Sequence, residues 1–324
     1  MQNPRTALAL LALTVSVVAC DGALTASRAA STTPVDRVIL VSVDGLRGDA
    51  MAHMPALSAL RDRGLWTDSM RTVLPSLTVP GHLSMLTGRD VSALGITSND
   101  LDVRNALALQ MNGASTVFAW VHGAGGTSAA VAGAALVPPQ QIADAQRLFA
   151  VDTLMAADLA EDSVRAQAVT LLTAAHAPTL LFVHFSGADL AGHDSGWIVP
   201  GAKSADGADV LAPYYLAAAA RVDTAIAGIW SAIAADVEAG RAALIVTADH
   251  GGGHGDHCVA TPEVPGFREH CTAAGGDVRI PFVLVAKGVA HSKLPASARI
   301  TQVAPTIAKL LDIWRPTTAD GAAF

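Results

Sequence analysis

The chain has 324 residues, of which 51% are hydrophobic, 15% are charged and 3 are cysteines. Its 21 Lys and Arg residues against 28 Asp and Glu residues give a formal net charge of −7. This composition excludes a disordered protein, a disulfide-dense mini-domain and a basic protein whose partner is a nucleic-acid polymer. The length is sufficient for one large α/β domain or two ordinary ones.

The N-terminal segment predicts export. An apolar run at residues 7–19 follows Arg5 and is too short for a bilayer, which takes roughly 20 residues. We therefore interpret residues 1–19 as a signal peptide. The sequence VVAC at residues 17–20 resembles a bacterial lipobox, which predicts a lipidated Cys20 and a tether through residue 35. We expect a periplasmic or cell-surface protein that contacts the membrane only through this lipid, the alternative being an ordinary signal peptide and a coincidental cysteine.

The remaining chain alternates between apolar runs and helical patterns. In chain order we predict a strand at residues 38–43, a helix at 55–63, a helix at 154–175, a strand at 180–185, a helix at 222–237, and strands at 242–248 and 280–285. Each strand run is continuously apolar, which favours strands that are covered on both faces in a parallel sheet.

This alternation predicts the α/β class, as a doubly wound, mostly parallel sheet flanked by helices. We expect a single domain over residues 36–321 with small insertions. The segments at residues 122–142 and 250–278 are rich in Gly, Ala and Pro, which predicts loops or insertions there.

Acidic and histidine residues follow three of the predicted strands. Asp44 follows the first run, Asp189 and His193 follow the second, and Asp249 and His250 follow the third. Any one of these taken alone is more typical of a turn, a helix cap or a core histidine. Parallel strands bring all of them to one edge of the sheet, where mixed Asp and His ligands suit zinc or a similar divalent ion. So many ligands exceed one tetrahedral shell and predict two metals.

Thr78 lies at the start of a further helical pattern. It precedes Pro80 and an apolar stretch at residues 83–86, which predicts that Thr78 caps a helix with Pro80 in the first turn. A capping threonine is the simple interpretation. The alternative is a metal-activated nucleophile that faces an anion site at the helix N-terminus.

Several motifs resemble those of the alkaline phosphatase superfamily, in particular its nucleotide pyrophosphatase/phosphodiesterase branch. They are VILVSVDG at residues 38–45, PSLTVPGH at 75–82, DLAGHDSG at 189–196 and TADHG at 247–251, with ITQVAPTI at 300–307 resembling the closing helix of these domains. The order of the motifs is specific, and the resemblance covers roughly residues 37–321.

The resemblance implies a role for each residue. It implies an alkaline phosphatase-like fold, two divalent ions that are zinc or, alternatively, manganese, and Thr78 as the nucleophile between them. One ion is implied at Asp189 and His193, and the other at Asp44, Asp249 and His250. A third histidine completes the first site, and we assign it to His257, with His254 and His270 as rivals because the insertion departs from the family pattern.

Asn99 separates the branches of this superfamily. The sequence LGITSN at residues 94–99 resembles the phosphodiesterase segment whose Asn holds a phosphoryl oxygen, although Leu94 departs from the His often seen there. Alkaline phosphatases use an Arg, which suits a monoester, whereas a neutral Asn suits a diester. The alternative is a turn Asn before Asp100. Sulfatases are disfavoured because their nucleophile is a modified Cys or Ser.

Two cysteines lie in the second insertion. Cys258 and Cys271 are thirteen residues apart, and in an oxidising compartment a disulfide between them would stabilise the fold by about 3 kcal/mol. A zinc site that uses both cysteines and nearby histidines is the alternative.

Together these features predict a hydrolase of phosphodiester or pyrophosphate bonds in a small phosphoester substrate, acting through a phospho-threonine. The nearer alternative is a phosphomonoesterase or phosphonate hydrolase of the same superfamily. The farther alternative is a tethered, metal-dependent binding protein without turnover. The sequence makes no prediction of leaving group or oligomeric state.

Overall fold

An eight-stranded sheet forms the centre of the fold. The structure is a computed structural model, and it describes residues 33–99, 103–134, 136–158, 160–255 and 264–324, all within one structural unit. The predicted signal peptide, the anchor at Cys20, His257 and Cys258 lie outside the described residues.

The strands are β1 Arg37–Val43, β2 Leu65–Arg71, β3 Ser128–Gly133, β4 Thr153–Ala157, β5 Leu180–Phe185, β6 Ile198–Lys203, β7 Asp209–Leu211, β8 Ala242–Thr247, β9 Arg279–Ala286 and β10 Ser292–Lys293. The helices are α1 Pro55–Arg61, α2 Thr78–Thr87, α3 Val91–Leu94, α4 Val103–Met111, α5 Val117–Gly123, α6 Ile142–Phe149, α7 Glu161–Leu172, α8 Gly187–Ser195, α9 Pro213–Ala239, α10 Gly275–Val278 and α11 Val303–Leu311.

The main sheet has the order β10-β2-β9-β8-β1-β5-β3-β4, and β6 and β7 form a separate hairpin. Neighbouring strands are parallel except at β9, which is antiparallel to both β8 and β2. Val41 of β1 is in register with Val183 of β5 and Val246 of β8. The three strands therefore end at the same edge, and the residues that follow them lie together.

Helices flank the sheet in two layers. Helices α1, α7 and α8 contact α9 in one layer, whereas α2 and α5 contact α11 in the other. This arrangement confirms the predicted doubly wound, mostly parallel α/β fold. Its core consists of strands such as β1, β5 and β8, in which every residue from Val38 to Val43, Leu180 to Phe185 and Ala242 to Thr247 is buried.

Helix α9 is the central helix of its layer. Within the described part of the chain it is the one helix long and apolar enough to cross a membrane by length and composition. Its apolar stripe, which includes Val222, Ile226 and Ile229, is fully buried, and the helix packs against β8, α7 and α8. The stripe is thus part of the protein core.

Four predictions about the elements were wrong. The apolar run at residues 280–285 forms β9, which is antiparallel, because a continuous apolar run reports burial on both faces and not strand direction. The segment at residues 122–142 contains β3, whose Ala and Gly residues are buried between β4 and β5. The helix predicted at residues 154–175 begins only at α7, after β4. Thr78 is the first residue of α2, and Leu77 occupies the N-cap position.

Candidate active site

The first part of the site is built on the ends of β1 and β8. We call Asp44, Asp249 and His250 the inner cluster. Nε2 of His250 lies 3.2 Å from Asp44 Oδ1 and 3.2 Å from Asp249 Oδ2, and all three side chains are 0–3% exposed. Nδ1 of His250 donates to the carbonyl oxygen of Gly251 at 2.7 Å, which turns Nε2 towards the carboxylates.

The second part combines helix α8 with a distant loop. We call Asp189, His193 and His270 the outer cluster. Nε2 of His193 lies 3.5 Å from Asp189 Oδ1 and 3.2 Å from His270 Nε2. Nδ1 of His193 donates to the carbonyl oxygen of Arg268 at 2.9 Å, and Nδ1 of His270 to that of Ser76 at 2.6 Å. Both imidazoles therefore direct Nε2 at Asp189.

The structure thus places His270 in the position that we assigned to His257, which lies outside the described residues. His254 lies elsewhere, with Nε2 3.2 Å from Asp209 Oδ2. Cys271, the residue after His270, is disulfide-bonded, so its sulfur is not a thiolate ligand. The sequence signal available for His270 was that it directly precedes a cysteine, because a disulfide holds the neighbouring residues in a defined position.

The inner and outer clusters meet at Gly45 and Asp189. Gly45 adopts φ +67°, and a Cβ at this position would lie 2.8 Å from Asp189 Cα. The glycine therefore lets the end of β1 approach α8. Asp189 Oδ1 takes part in the outer cluster, while the Asp189 carboxylate also groups with Asp44 and His250 within 4.8 Å.

Burial and like charges control the electrostatics of the site. Burial, together with the neighbouring Asp44 carboxylate, raises the pKa values of Asp189 and Asp249 well above the usual range. Burial alone would lower the pKa of His250, but the carboxylates of Asp249 and Asp44 outweigh it and raise this pKa to about 10. Burial and like charge therefore oppose ionisation of Asp189 and Asp249, and a cation between the carboxylates would favour it.

The donor set fits divalent cations. Three buried carboxylate oxygens form no hydrogen bond of acceptable geometry with any described residue, namely Asp44 Oδ1, Asp189 Oδ1 and Asp249 Oδ2. Unsatisfied buried carboxylate oxygens are costly in a folded protein, and oxygen and imidazole donors in this arrangement are typical ligands of zinc or manganese. The residues present thus suit the metal centre that the sequence predicted.

Thr78 lies beside the inner cluster. Its Oγ1 lies 3.2 Å from His250 Nε2, and the residue is half-buried at the N-terminus of α2. The side chain of Asn99 reaches the same helix end, where its Oδ1 accepts a hydrogen bond from the backbone N–H of Val79 at 3.0 Å. Because a backbone N–H can only donate, the Nδ2 amide group of Asn99 lies on the other side of its side chain.

Comparison with known protein families shows to which family the chain belongs. The sequence matches the type I phosphodiesterase/nucleotide pyrophosphatase family over residues 38–306. The chain belongs to this family. Membership supports a phosphoester hydrolase. Comparison with curated proteins found no match.

Solved structures of the same fold include members of this family and sulfatases. An inactive variant of murine ectonucleotide pyrophosphatase/phosphodiesterase 5 in complex with AMP has a TM-score of 0.61 and 16% identity, over 87% of this chain and 96% of that one. The human protein has a TM-score of 0.62 and 16% identity, over 88% and 97%. A 2-O GAG sulfatase has a TM-score of 0.67 and 12% identity, over 90% and 73%. At these identities the likeness concerns the fold.

Two further histidines lie beside the inner cluster. His184 of β5 places Nε2 3.1 Å from Asp44 Oδ2. His82 donates from Nδ1 to the carbonyl oxygen of Thr78 at 2.8 Å and lies 3.5 Å from Asp249 Oδ2. Burial lowers the pKa of His82 to about 3, so this histidine is neutral. His184 is thus the kind of partner that orients a metal ligand.

Sequence reasoning assigned no role to His184 or His82. The signal for His184 was a polar residue within a fully apolar strand run, and His82 lay inside the quoted nucleophile motif. Trp197 was likewise not assigned to the site. It is fully buried, donates from Nε1 to the carbonyl oxygen of Gly45 at 2.8 Å, and packs edge-on against His193.

Proposed function

We propose that this chain hydrolyses phosphodiester or pyrophosphate bonds through a phospho-threonine at Thr78. The observation that carries the proposal is the position of the Thr78 hydroxyl, 3.2 Å from His250 Nε2 and next to buried carboxylate oxygens without hydrogen bonds. A threonine that only capped a helix would direct its hydroxyl at its own backbone, whereas this hydroxyl faces the inner cluster.

The inner and outer clusters would each hold one divalent ion, zinc or alternatively manganese. His257 remains the alternative to His270 for the outer cluster. When bound, the ions would lower the pKa of the nucleophile and stabilise the charge on the entering and leaving oxygens. His184 would hold Asp44 in place for this purpose, and His82 would hold the first turn of α2 through the carbonyl oxygen of Thr78.

The chemistry proceeds in two displacements at phosphorus. Thr78 Oγ1 forms a bond to phosphorus as the bond to the leaving alcohol breaks, and the proton of Thr78 ends on that alcohol. Water then attacks from the side that the alcohol vacated, the Oγ1–phosphorus bond breaks, and one proton of the water returns to Thr78. The products are an alcohol, or a phosphate compound from a pyrophosphate, and a phosphomonoester.

Asn99 would bind a non-bridging oxygen of the scissile phosphate. Its Oδ1 is occupied by the Val79 N–H, so the Nδ2 group is the donor available for substrate. The same hydrogen bond engages the Val79 N–H, so this group is not among the donors that the start of α2 would offer to the phosphate. A neutral amide donor favours the singly charged phosphate of a diester.

The open side of the site lies at His193. Its side chain is 37% exposed, and it borders a cavity of about 590 Å³ that Leu190 and Tyr214 also line. We assign this cavity to the leaving group, because it adjoins the outer cluster, across the site from Thr78.

We also propose that the protein is exported and anchored through lipid on Cys20, as the sequence predicts. The described chain supports an accessible site in that arrangement, since it enters the sheet at Arg37, at the amino ends of the parallel strands. The candidate site lies at the opposite edge.

The test is a substrate panel with residues 21–324, stripped of metal and reconstituted with zinc or manganese. We expect kcat/KM for bis-p-nitrophenyl phosphate to exceed that for p-nitrophenyl phosphate, with no turnover of p-nitrophenyl sulfate. Asn99→Ala should lower diester kcat/KM by about 10²-fold, the usual effect of losing one oxyanion donor.

Other outcomes select the alternatives. A preference for the monoester would identify a phosphomonoesterase and remove the role of Asn99. Turnover of the sulfate ester alone would assign the protein to the chemistry of its sulfatase neighbours. Metal binding without turnover of any ester would favour the binding protein.

A further inference from the structure

Trp197 follows the end of helix α8 and packs against both histidines of the outer cluster. The residue is fully buried, and its indole meets each imidazole edge-on, with ring centroids 5.0 Å from His193 and 5.6 Å from His270. The two histidines are 77 residues apart in the chain. The indole is therefore a common surface against which a helix residue and a loop residue are both placed.

Two glycines make room for this indole. A Cβ at Gly192, the residue before His193, would lie 2.2 Å from Cε2 of Trp197. A Cβ at Gly252, two residues after His250, would lie 2.3 Å from the same atom. Carbon atoms in contact normally lie about 3.5–4.0 Å apart, so neither position has space for a side chain. The indole thus lies directly against the backbone of α8 and of the loop that follows β8.

Hydrogen bonds join Trp197 to three other parts of the chain. Its Nε1 donates to the carbonyl oxygen of Gly45, at the end of β1, at 2.8 Å. Its backbone N–H donates to the carbonyl oxygen of Phe267 at 3.0 Å, and its own carbonyl oxygen accepts from the N–H of Ala212 at 2.9 Å. Phe267 lies in the loop that leads to His270, and Ala212 precedes α9. Trp197 therefore fixes the distances between these elements.

The outer histidines need such a contact more than the inner cluster does. The inner cluster sits on the ends of paired strands, whose register sets its geometry. His193 and His270 each donate from Nδ1 to one carbonyl oxygen, at 2.9 and 2.6 Å. One hydrogen bond fixes the position of one ring atom but leaves the tilt of the ring free. A second contact is required to fix the ring plane, and the indole provides it for both rings.

We propose that Trp197 is a positioning residue that holds His193 and His270 in the arrangement that binds the outer metal ion, before any ion is bound. This inference rests on the proposed function, because the outer metal site is part of it. The indole N–H can only donate, so Trp197 is not itself a ligand and acts through the two histidines. Its buried ring also excludes water from one side of the cluster, while the exposed side of His193 stays open to the cavity.

The test compares Trp197→Leu and Trp197→Phe with wild type and with Trp120→Leu. Trp120 is the matched control, because it is also buried and its Nε1 also donates a hydrogen bond, to Ser115 Oγ at 2.8 Å. It lies on α5, where it lines a separate cavity with Trp314. Loss of either indole removes comparable packing, so both leucine variants should lose thermal stability.

The first readout is the zinc affinity of each site, measured by calorimetry, with the outer site identified as the binding step that His270→Ala lacks. We expect Trp197→Leu to weaken zinc at the outer site about 100-fold, and Trp197→Phe, which keeps an aromatic ring, about 10-fold, the usual range for losing a group that orients a ligand. The inner site should keep its affinity in both variants. Trp120→Leu should keep the wild-type affinity at both sites.

The second readout uses metal-free protein. Diethyl pyrocarbonate acylates accessible imidazoles, and peptide mass spectrometry gives the rate at His270, whose side chain is 4% exposed. In Trp197→Leu this rate should rise at least about 10-fold, because a buried side chain in wild type reacts only through local opening. In Trp120→Leu the rate should remain that of wild type.

Outer-site affinity and His270 reactivity equal to wild type in Trp197→Leu would overturn the proposal. Equal weakening of both zinc sites, or the same losses in Trp120→Leu, would also overturn it, because either result shows only a general loss of stability. If wild type binds no zinc at the outer site, the proposed metal centre fails. The reactivity of His270 in metal-free protein then still decides whether Trp197 holds this histidine in place.

Discussion

The two halves of the candidate metal centre differ in how the chain builds them. The inner cluster sits on the ends of β1 and β8, with side chains at most 3% exposed, and its geometry follows from strand register. The outer cluster joins a helix to a loop from far along the chain, and His193 is 37% exposed. The more buried half thus lies beside the candidate nucleophile, and the more open half borders the cavity that we assign to the leaving group.

Asp277 connects the two halves. Its carboxylate is fully buried and accepts hydrogen bonds from the backbone N–H groups of Cys271 at 3.2 Å, Thr272 at 3.0 Å and His254 at 3.1 Å. Its carbonyl oxygen accepts from the N–H of Gly251, next to the inner cluster, at 2.8 Å. The loop that presents His270 is therefore tied to the end of β8 through one residue.

The largest expected effect is at the inner cluster. Thr78→Ala should lower diester kcat by at least about 10³-fold, because the variant lacks the attacking oxygen, while metal content stays at the wild-type level. Thr78→Ser, which keeps a hydroxyl, is the matched control and should retain measurable turnover. If Thr78→Ala had activity close to that of wild type, Thr78 would not be the nucleophile.

The next effect distinguishes the two histidines proposed for the outer cluster. His270→Ala should lose about one equivalent of bound metal and lower kcat/KM by about 10²-fold or more, because a ligand and its charge are lost. His257→Ala is the matched comparison and should keep both equivalents, as measured by elemental analysis. Loss of metal in His257→Ala but not in His270→Ala would assign the ligand role to His257.

The smallest effect tests the connection between the halves. Asp277→Asn should keep the fold but weaken metal binding at the outer cluster by roughly 10-fold, because one amide cannot accept all the hydrogen bonds that orient the His270 loop. Affinity of the inner cluster should change much less. Equal weakening of both sites, measured by metal titration, would show that the clusters are not separable in this way.

The sequence predicted the strand-borne part of the site because β1, β5 and β8 are continuously apolar and their polar residues follow immediately. It did not predict the direction of β9, since burial on both faces is the same for parallel and antiparallel strands. It missed β3 because buried Ala and Gly residues resemble a loop in composition. His270 was not chosen because the segment between it and His250 departs from the family pattern, and only tertiary structure brings it to His193.

The polar contacts that the candidate ligands make with other side chains could not be predicted from the sequence either. His184 reaches Asp44 only because β5 and β1 are adjacent and in register. Asn99 was predicted as a phosphate ligand, but its use of Oδ1 to hold Val79 depends on how the segment at residues 94–99 returns to α2. Such contacts join distant parts of the chain and leave no local pattern.

The most direct test of the account is to trap the phosphorylated enzyme. The metal-loaded protein is mixed with a p-nitrophenyl diester, quenched in acid within milliseconds to seconds, and digested for peptide mass spectrometry. We predict that the peptide containing Thr78 carries the phosphoryl group of the substrate, with a burst of p-nitrophenol that matches its amount. Turnover without modified Thr78, or with the phosphoryl group on another residue, would contradict the central claim.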